Sequence, residues 1–203
     1  MSSVVNISLV GVGGQGILLA SDILAKAAML TGLDVKKSEV HGMAQRGGSV
    51  ISEIRFGEKV YSPLIPAGTT DYLVSFEKLE ALRYAHFLSS HGLALVNDQL
   101  IVPVTVSSGQ HPMIEDVNSR LKSAFPKLEV VPALDIARDL GSVRVVNVVM
   151  TGALSVHLGI PEDAWLRAIR DSVKERFVDL NLKAFEAGRA LPPVNRPHDQ
   201  PVY

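Results

Sequence analysis

The alternation of apolar and polar stretches along the chain predicts strands that are separated by helices. Residues 4–10 form a short β-branched run that stops at glycines, which is typical of a buried strand. Residues 17–30 carry helix formers with apolar side chains on more than one face, and Gly32 is expected to end this helix. Further strands are predicted at 34–39, 50–56, 72–76, 93–96 and 130–131, with 59–61 returning as a short hairpin arm.

The second half of the chain is predicted to be mainly helical. Residues 112–125 are amphipathic, with Ile114, Val117, Leu121 and Phe125 on one face. The stretch 161–190 opens with Pro-Glu-Asp, which suits the first turn of a helix, and indicates a helix pair. Other helices are expected at 78–88 and 133–140, and 144–157 is expected to be a buried helix, with a strand as the alternative at its valine-rich start.

This order of elements predicts an α/β fold with three layers. We expect a mostly parallel, Rossmann-like sheet with helices on both faces and a C-terminal helix pair. The 203 residues suit a single domain over 1–191. Four prolines in the ten residues from Pro192 onward predict an extended tail over 192–203.

Composition then narrows the function classes. A 47% hydrophobic content with 20% charged residues supports a full core and excludes wholesale disorder. Without cysteine, the chain cannot hold an iron–sulfur cluster on thiolates or use a cysteine nucleophile. A net charge of −1 argues against nucleic-acid binding. Because neither a signal-peptide pattern nor a membrane-spanning apolar run is present, we expect a cytoplasmic protein without membrane contact.

Glycines are concentrated near the N-terminus, where nine of the sixteen fall in the first 57 residues. Gly11, Gly13 and Gly16 fit the G-x-G-x-x-G pattern between a strand and a helix. Such a loop can present free backbone N–H groups to a phosphate at the positive end of the helix. The other interpretation is that these glycines only allow close helix–sheet packing. With Gly14 and Gln15, this loop forms the first half of a candidate anion site.

A second glycine cluster supplies the other half. Arg46 stands beside Gly47, Gly48 and Ser49, so a guanidinium, backbone donors and a hydroxyl lie within four residues and could clamp a phosphate or carboxylate. The alternative is a solvated turn. His41 is the one candidate acid or base, against a structural role as a hydrogen-bonded histidine. The six histidines show no metal-ligand spacing, so no metal site is expected.

Three further polar residues bear on the interpretation. Glu39 lies about where a dinucleotide-binding fold places the carboxylate that binds the ribose, but a glycine loop follows it rather than a helix. Asp71 stands just ahead of a strand and Asn147 lies inside a buried apolar segment, and both are expected to bond to backbone groups in structural roles.

The glycine clusters also carry a resemblance to a known family. Residues 11–16 (GVGGQG) and 38–49 (SEVHGMAQRGGS) are its specific part, and Asn147 and Asn181 lie in its later matching segments. The chain resembles the small, gamma-type subunit of the 2-oxoacid:ferredoxin oxidoreductases over residues 4–190. Within that family, the 41–49 run favours the beta subunit of the indolepyruvate branch over the pyruvate branch.

The resemblance implies a reaction and a set of partners. The family oxidatively decarboxylates a 2-oxoacid with coenzyme A, which gives an acyl-CoA, carbon dioxide and reduced ferredoxin. Thiamine diphosphate and iron–sulfur clusters are held mainly by the large partner subunit, and the absence of cysteine here agrees with that. The chain is then expected to hold no cofactor firmly, with coenzyme A as a candidate ligand at the two glycine loops, which follow what are taken to be neighbouring strands.

Three classes of function remain open from the sequence. The first is an enzyme subunit, inactive alone, in a heteromeric aryl-pyruvate oxidoreductase. The second is a self-sufficient dinucleotide-binding oxidoreductase, which G-x-G-x-x-G and Glu39 would support. The third is a non-catalytic binding or scaffold protein of the same fold. For the glycine loops themselves, ligand binding and contact with the partner subunit are both open, because glycine allows close backbone approach in either case.

Overall fold

One mixed sheet organises the computed structural model, which describes residues 4–41 and 48–192 and, of His41, the backbone alone. The six strands in these ranges lie in the order β2-β3-β1-β4-β5-β6. They are β1 (Val5–Val12), β2 (Asp34–His41), β3 (Ser49–Gly57), β4 (Thr70–Ser75), β5 (Leu88–Asn97) and β6 (Leu128–Val131).

Strand direction agrees with the predicted, mostly parallel sheet except at one strand. β1, β4, β5 and β6 pair in parallel, whereas β3 is antiparallel to both β1 and β2. Five strands therefore point the same way, and their carboxyl ends share one edge of the sheet with the start of β3.

Helices cover both faces, as the alternation of elements predicts. Within the described residues they are α1 (Ile17–Leu30), α2 (Lys78–Arg83), α3 (Val104–Ser107), α4 (Val117–Ala124), α5 (Ala133–Asp139), α6 (Val146–Ser155), α7 (Glu162–Ser172) and α8 (Val178–Arg189). Short 3-10 turns lie at Ala85–Phe87, Val143–Val145 and Glu175–Phe177. Among these residues, none of the helices is both long and apolar enough to span a membrane.

Alternate residues of each strand belong to two separate cores. Ile7 and Leu9 of β1 face the larger core, which α1 and α5 to α8 cover, while Val10 faces a smaller core under α2 and α4. This period-2 alternation is what a sheet buried on both sides requires. Trp165 is fully buried in the larger core. The three-layer prediction is confirmed.

Helix α1 begins and ends where the sequence predicts. Gly16 precedes it in the left-handed region, with φ 78°, and Gly32 follows it with φ 84°. Both conformations favour glycine because a Cβ would meet the carbonyl that follows it. Ile23, Leu24 and Ala27 are buried on its inner face.

Several predicted elements differ from the observed ones. Residues 59–61 form no hairpin arm, because Val60 instead turns inward, is 2% exposed, and donates its N–H to Asp34 Oδ2 at 2.9 Å. The helix predicted over 112–125 begins only at Val117, after Asp116 with φ 52°. The helix predicted over 78–88 ends at Arg83, and Leu88 already belongs to β5, which is longer than predicted.

The C-terminal helix pair is present, but each helix packs mainly on another one. α7 packs on α1, and α8 packs on α6. The α6–α8 contact is close because Gly152 and Gly188 face the backbone of the opposite helix: a Cβ on Gly152 would lie 2.2 Å from the carbonyl oxygen of Phe185. Residues 193–203, the greater part of the predicted tail, lie outside the described residues.

Candidate functional site

The two glycine loops meet at the edge of the sheet where β1 ends. Val12 of β1 pairs with Ser49 of β3, and the N–H of Gly13 donates to the carbonyl oxygen of Gly48 at 2.8 Å. Gly48 and Ser49, the described residues of the second cluster, lie next to the first loop because β3 runs back beside β1. The sequence led us to expect that β1 and β2, the strands before the two loops, are neighbours. This expectation is wrong, because β3 lies between them.

The first loop leaves the N-terminus of α1 open. Gly14 is exposed with φ 102°, and Gly16 has φ 78°. Among the described residues, the backbone N–H groups of 16–19 have no acceptor, no side chain caps the helix, and its first turn carries no acidic residue. Four unsatisfied donors at the positive end of a fourteen-residue helix can bind an anion.

Asn147 contacts the first loop, although it is not among the site residues predicted from the sequence. It is 2% exposed, and its Nδ2 donates to the carbonyl oxygen of Gly16 at 3.1 Å. This agrees with the expected bond to backbone. Its Oδ1 is buried and has no hydrogen-bond partner among the described residues. Asn147 comes from α6, 131 positions away in the chain, so local spacing carries no signal for it.

Gln15 holds the loop in shape. Its Oε1 accepts the N–H of Val12 at 2.8 Å, and its Nε2 donates to the carbonyl oxygen of Phe76 at 2.9 Å. Gly11 is required for this arrangement, because a Cβ there would lie 2.7 Å from Gln15 Oε1. Both residues support the shape of the loop, and their predicted part in ligand binding stays a prediction.

Buried amides continue this network along the edge. Asn97, at the end of β5, donates from Nδ2 to the carbonyl oxygen of Phe76 at 3.1 Å and to Gln99 Oε1 at 3.2 Å. Gln15 Nε2 lies 3.3 Å from the same Gln99 oxygen. The carboxyl ends of β1, β4 and β5 are thereby fixed relative to one another. Asn97 and Gln99 were not identified from sequence because neither belongs to a recognisable motif.

Ser49 does not contribute its hydroxyl to the open helix end. Its Oγ donates to Glu80 Oε2 and lies 3.0 Å from the hydroxyl of Tyr84. Glu80 also accepts from Arg83 Nε at 2.9 Å. These contacts hold Ser49 against α2 at the sheet edge, and its predicted role as an anion ligand stays a prediction.

A second carboxylate near this edge is fully buried. Glu77 caps α2, where its Oε1 accepts the N–H of Leu79 at 2.9 Å and its Oε2 that of Glu80 at 2.8 Å. Oε1 also accepts from the N–H of Ile101 at 3.3 Å. Burial raises the pKa of Glu77, and these three bonds oppose that rise.

Three predicted site positions are outside what the structure describes. Arg46 and Gly47 belong to the segment 42–47, and the side chain of His41 is likewise not described. Their roles stay predictions. Within the described residues, no group of three His, Asp or Glu side chains is placed to hold a metal ion.

The geometry does not support the dinucleotide interpretation of Glu39. In a Rossmann half-domain the strand that ends in the acidic residue is adjacent to the glycine-loop strand. Here β3 lies between β1 and β2, and Glu39 pairs with Lys37 Nζ at 2.7 Å. The ribose-binding position is therefore displaced by a full strand from the glycine loop.

Comparison with known proteins agrees with this architecture. The family described as pyruvate ferredoxin/flavodoxin oxidoreductase matches residues 6–191. The indolepyruvate oxidoreductase subunit IorB of Archaeoglobus fulgidus is 44% identical over 90% of this chain and 92% of its own length.

Two solved structures share 26% identity with this chain over 91% of its length. The gamma subunit of a keto/oxoacid ferredoxin oxidoreductase from Geobacter sulfurreducens has a TM-score of 0.68 and is covered over 95%. The pyruvate oxidoreductase subunit PORC of Thermotoga maritima has a TM-score of 0.70 and is covered over 94%. On the extent of these matches, the chain belongs to the pyruvate ferredoxin/flavodoxin oxidoreductase family.

Proposed function

We propose that the chain is the small subunit of an indolepyruvate:ferredoxin oxidoreductase. The assembled enzyme oxidatively decarboxylates aryl pyruvates with coenzyme A, and gives an acyl-CoA, carbon dioxide and reduced ferredoxin. The observation that carries this proposal is the 44% identity with an indolepyruvate oxidoreductase subunit over 90% of the chain. Identity with the pyruvate oxidoreductase subunit is 26%, which favours the aryl-pyruvate branch.

The redox cofactors of the reaction belong to the partner. An iron–sulfur cluster needs thiolate ligands, and the chain has no cysteine, so its donor set does not fit a cluster. Thiamine diphosphate, which supplies the carbanion chemistry, is commonly anchored through a divalent cation on oxygen ligands. The described residues bring no three carboxylate or histidine side chains together for such a cation. We assign both groups to a large partner subunit.

The part that this chain plays at the reaction site is anion binding. The open N-terminus of α1 offers four backbone donors, and Gly48 of the second glycine cluster accepts a hydrogen bond from Gly13 of the first loop. Arg46 stands two positions before Gly48 in the chain. We assign this edge to a phosphate group of coenzyme A, held by the helix end and by the Arg46 guanidinium.

Activity of the reconstituted complex tests the assignment of the enzyme. The chain is co-expressed with the large subunit, and dye reduction is measured with indolepyruvate and coenzyme A. We expect turnover from the complex and none from either subunit alone. Turnover with pyruvate but not with aryl pyruvates would contradict the branch, and absence of a stable complex would contradict the heteromer.

Calorimetry on the complex tests the ligand. Arg46→Ala is expected to weaken coenzyme A binding by roughly tenfold or more, because it removes a charge-assisted contact. Arg120→Ala, at an exposed position on α4, is the matched control and should leave the affinity unchanged. If Arg46→Ala weakens subunit association but not coenzyme A binding, the glycine loops form the subunit interface instead.

A further inference from the structure

A cavity of about 710 Å³ lies at the end of the sheet opposite the glycine loops. It forms where β1, β4 and β5 begin and β3 ends, and the connection between α6 and α7 closes one side. Val5, at its wall, is seven residues from Val12, which is about 23 Å along a strand that rises about 3.3 Å per residue. Its volume is in the range of small-molecule sites. The cavity is therefore separate from the proposed coenzyme A site.

The walls of this cavity are mostly apolar. Six apolar side chains contribute to the lining, four of them buried and two half-buried. They are Val5, Leu33, Phe56, Leu93, Leu158 and Ile160. A ligand with a large apolar group would bury that group among them.

Asp71 places an unpaired carboxylate at the cavity. Its Oδ2 accepts the N–H of Asn6 at 2.8 Å, as the sequence led us to expect of a backbone contact. Among the described residues, however, no cationic side chain lies within ion-pair distance of it, and burial raises its pKa. A half-buried carboxylate without a counter-charge is an acceptor for a ligand ammonium group.

Lys127 places a cation on the other side of the opening. Its Nζ donates to the carbonyl oxygen of His91 at 3.2 Å and pairs with no carboxylate among the described residues. In the pairing of β4 with β5 and of β5 with β6, Tyr72 lies opposite Leu93, and Ala94 opposite Leu128. Asp71 precedes Tyr72 and Lys127 precedes Leu128, so the two residues lie at the same end of the sheet with β5 between their strands, and both line the cavity.

The remaining polar groups at this end are occupied by one another or lie at the rim. The hydroxyl of Tyr72 donates to the carbonyl oxygen of His157 at 3.0 Å, and His157 Nε2 lies 3.2 Å from Glu129 Oε2. Glu58 and His91 are exposed at the opening. Asp71 is thus the half-buried carboxylate of the cavity and Lys127 is the ammonium group that lines it, while Glu58 is an exposed carboxylate at the rim.

We propose that this cavity binds a free α-amino acid with a large apolar side chain. The ligand ammonium group pairs with Asp71, its carboxylate pairs with Lys127, and its side chain lies among the apolar walls. A zwitterion satisfies the two opposite charges together, whereas a simple amine or a simple acid leaves one of them unpaired.

Calorimetric titration of the full chain with four compounds tests the ligand class. L-Phenylalanine carries all three groups; 2-phenylethylamine lacks the carboxylate, 3-phenylpropionate lacks the ammonium group, and glycine lacks the apolar side chain. We expect L-phenylalanine to bind, and each truncated compound to bind roughly tenfold or more weakly. Equal binding of the amine or of the acid would overturn the zwitterion assignment, and no binding of L-phenylalanine would overturn the site.

Two charge-removing variants locate the binding. Asp71→Asn keeps an oxygen acceptor for the N–H of Asn6. Lys127→Met replaces an exposed side chain, so this variant still tests the site if Asp71→Asn fails to fold. Each should weaken L-phenylalanine binding by roughly tenfold or more. The matched controls Asp135→Asn and Lys122→Met, at exposed positions of α5 and α4, should leave it unchanged.

Binding of an amino acid in the cavity does not depend on the coenzyme A proposal. Saturating coenzyme A should leave the affinity for L-phenylalanine unchanged, because the two sites lie at opposite ends of the sheet. Displacement of one by the other would place both ligands in one site and overturn this inference. Unchanged L-phenylalanine binding by both Asp71→Asn and Lys127→Met would overturn it as well.

Discussion

Gly16 meets two constraints at once, and each can be measured separately. Its φ of 78° is in the left-handed region, and a Cβ would lie 2.7 Å from Nδ2 of Asn147. The left-handed conformation destabilises an alanine at this position by about 1–2 kcal/mol. The contact with Asn147 adds the free energy needed to displace a buried amide. We expect Gly16→Ala to lower the free energy of unfolding by roughly 2–4 kcal/mol in urea titrations.

Gly68 provides the control for the backbone strain alone. Its φ is 75°, and a Cβ there would meet nothing within 4 Å. Gly68→Ala should therefore lose only about 1–2 kcal/mol. In a double-mutant cycle, Asn147→Ala should relieve part of the Gly16→Ala loss. Equal losses at the two glycines would mean that Asn147 yields freely and does not brace the loop.

Glu77 should make stability depend on pH. Burial raises its folded-state pKa above the ordinary value of 4.5, so the native state holds its proton more tightly than the unfolded chain does. Its contribution is thus fully present below about pH 4.5 and is lost as the pH rises through the raised folded-state pKa. Relative to wild type, Glu77→Gln should gain stability as the pH rises over this window, because the neutral amide has no ionisation to lose.

Urea unfolding between pH 4 and pH 7 on wild type and Glu77→Gln measures this effect. The free energy of unfolding of the variant differs from that of wild type at every pH, because one amide oxygen replaces two carboxylate oxygens that accept three N–H groups. The raised pKa is therefore tested by how the difference in unfolding free energy between the variant and wild type changes with pH. Glu175→Gln, at an exposed position, should give a constant difference. A constant difference for Glu77→Gln would rule out a raised pKa for this carboxyl.

Local spacing identifies loop residues but not what packs on them. Gly13, Gly14 and Gly16 are recognisable because positive φ and free N–H groups leave a signature in the chain itself. Asn147 reaches Gly16 from 131 residues away, and Ser49 turns its hydroxyl to Glu80 rather than to the helix end. Those contacts depend on tertiary packing, which neighbouring residues do not encode.

At the scale of elements, the crossing of α6 and α8 depends on two glycines. A Cβ on Gly152 would lie 2.2 Å from the carbonyl oxygen of Phe185, and one on Gly188 would lie 2.1 Å from that of Val149. Glycine to alanine inside a helix ordinarily stabilises by about 0.5–1 kcal/mol. Here we expect the opposite sign, a loss of roughly 1–3 kcal/mol or more for either substitution, because the helices must separate.

Equilibrium unfolding in urea, followed by circular dichroism, measures the sign. Ser123→Ala, on the exposed face of α4, should change the free energy of unfolding by no more than about 0.5 kcal/mol. Stabilisation by Gly152→Ala would show that the two helices do not approach as closely as described.

Strand and helix positions were predictable from sequence to the extent that local pattern determines them. α1 begins and ends as predicted because a left-handed glycine flanks each end, and Ile23, Leu24 and Ala27 are buried against the core. The reversed direction of β3 was not predictable, because apolar periodicity is the same for either direction. The helix predicted from Pro112 starts late, since amphipathic spacing continues into residues that form no helix before Val117.

On the scale of the whole molecule, the two ends of the sheet carry different chemistry. The carboxyl end presents backbone donors at the start of α1, and the opposite end holds a mostly apolar cavity whose lining includes the Asp71 carboxylate and the Lys127 ammonium group. The proposed coenzyme A site must face the large subunit, which holds the cofactors in our proposal. We therefore expect that subunit to cover the carboxyl end.

Exposed apolar side chains after β5 suit such a contact. Leu100, Val102, Val104 and Ile114 follow the carboxyl end of β5, and Val104 is 76% exposed. Burying them on assembly would remove apolar surface from water, which is the main driving force of stable association. We expect Val102→Asp combined with Val104→Asp to weaken the complex with the large subunit by roughly tenfold or more, since the charges must be desolvated.

Leu64→Asp is the matched control for this experiment. Leu64 is 61% exposed and follows the end of β3, at the opposite end of the sheet. It adds one carboxylate, against two in the double variant, at a comparably exposed position, and it should leave assembly unchanged if the large subunit binds only the carboxyl end. Surface plasmon resonance with immobilised large subunit gives both dissociation constants. A loss of affinity from Leu64→Asp alone would place the partner at the cavity end, where it would block the proposed amino-acid site.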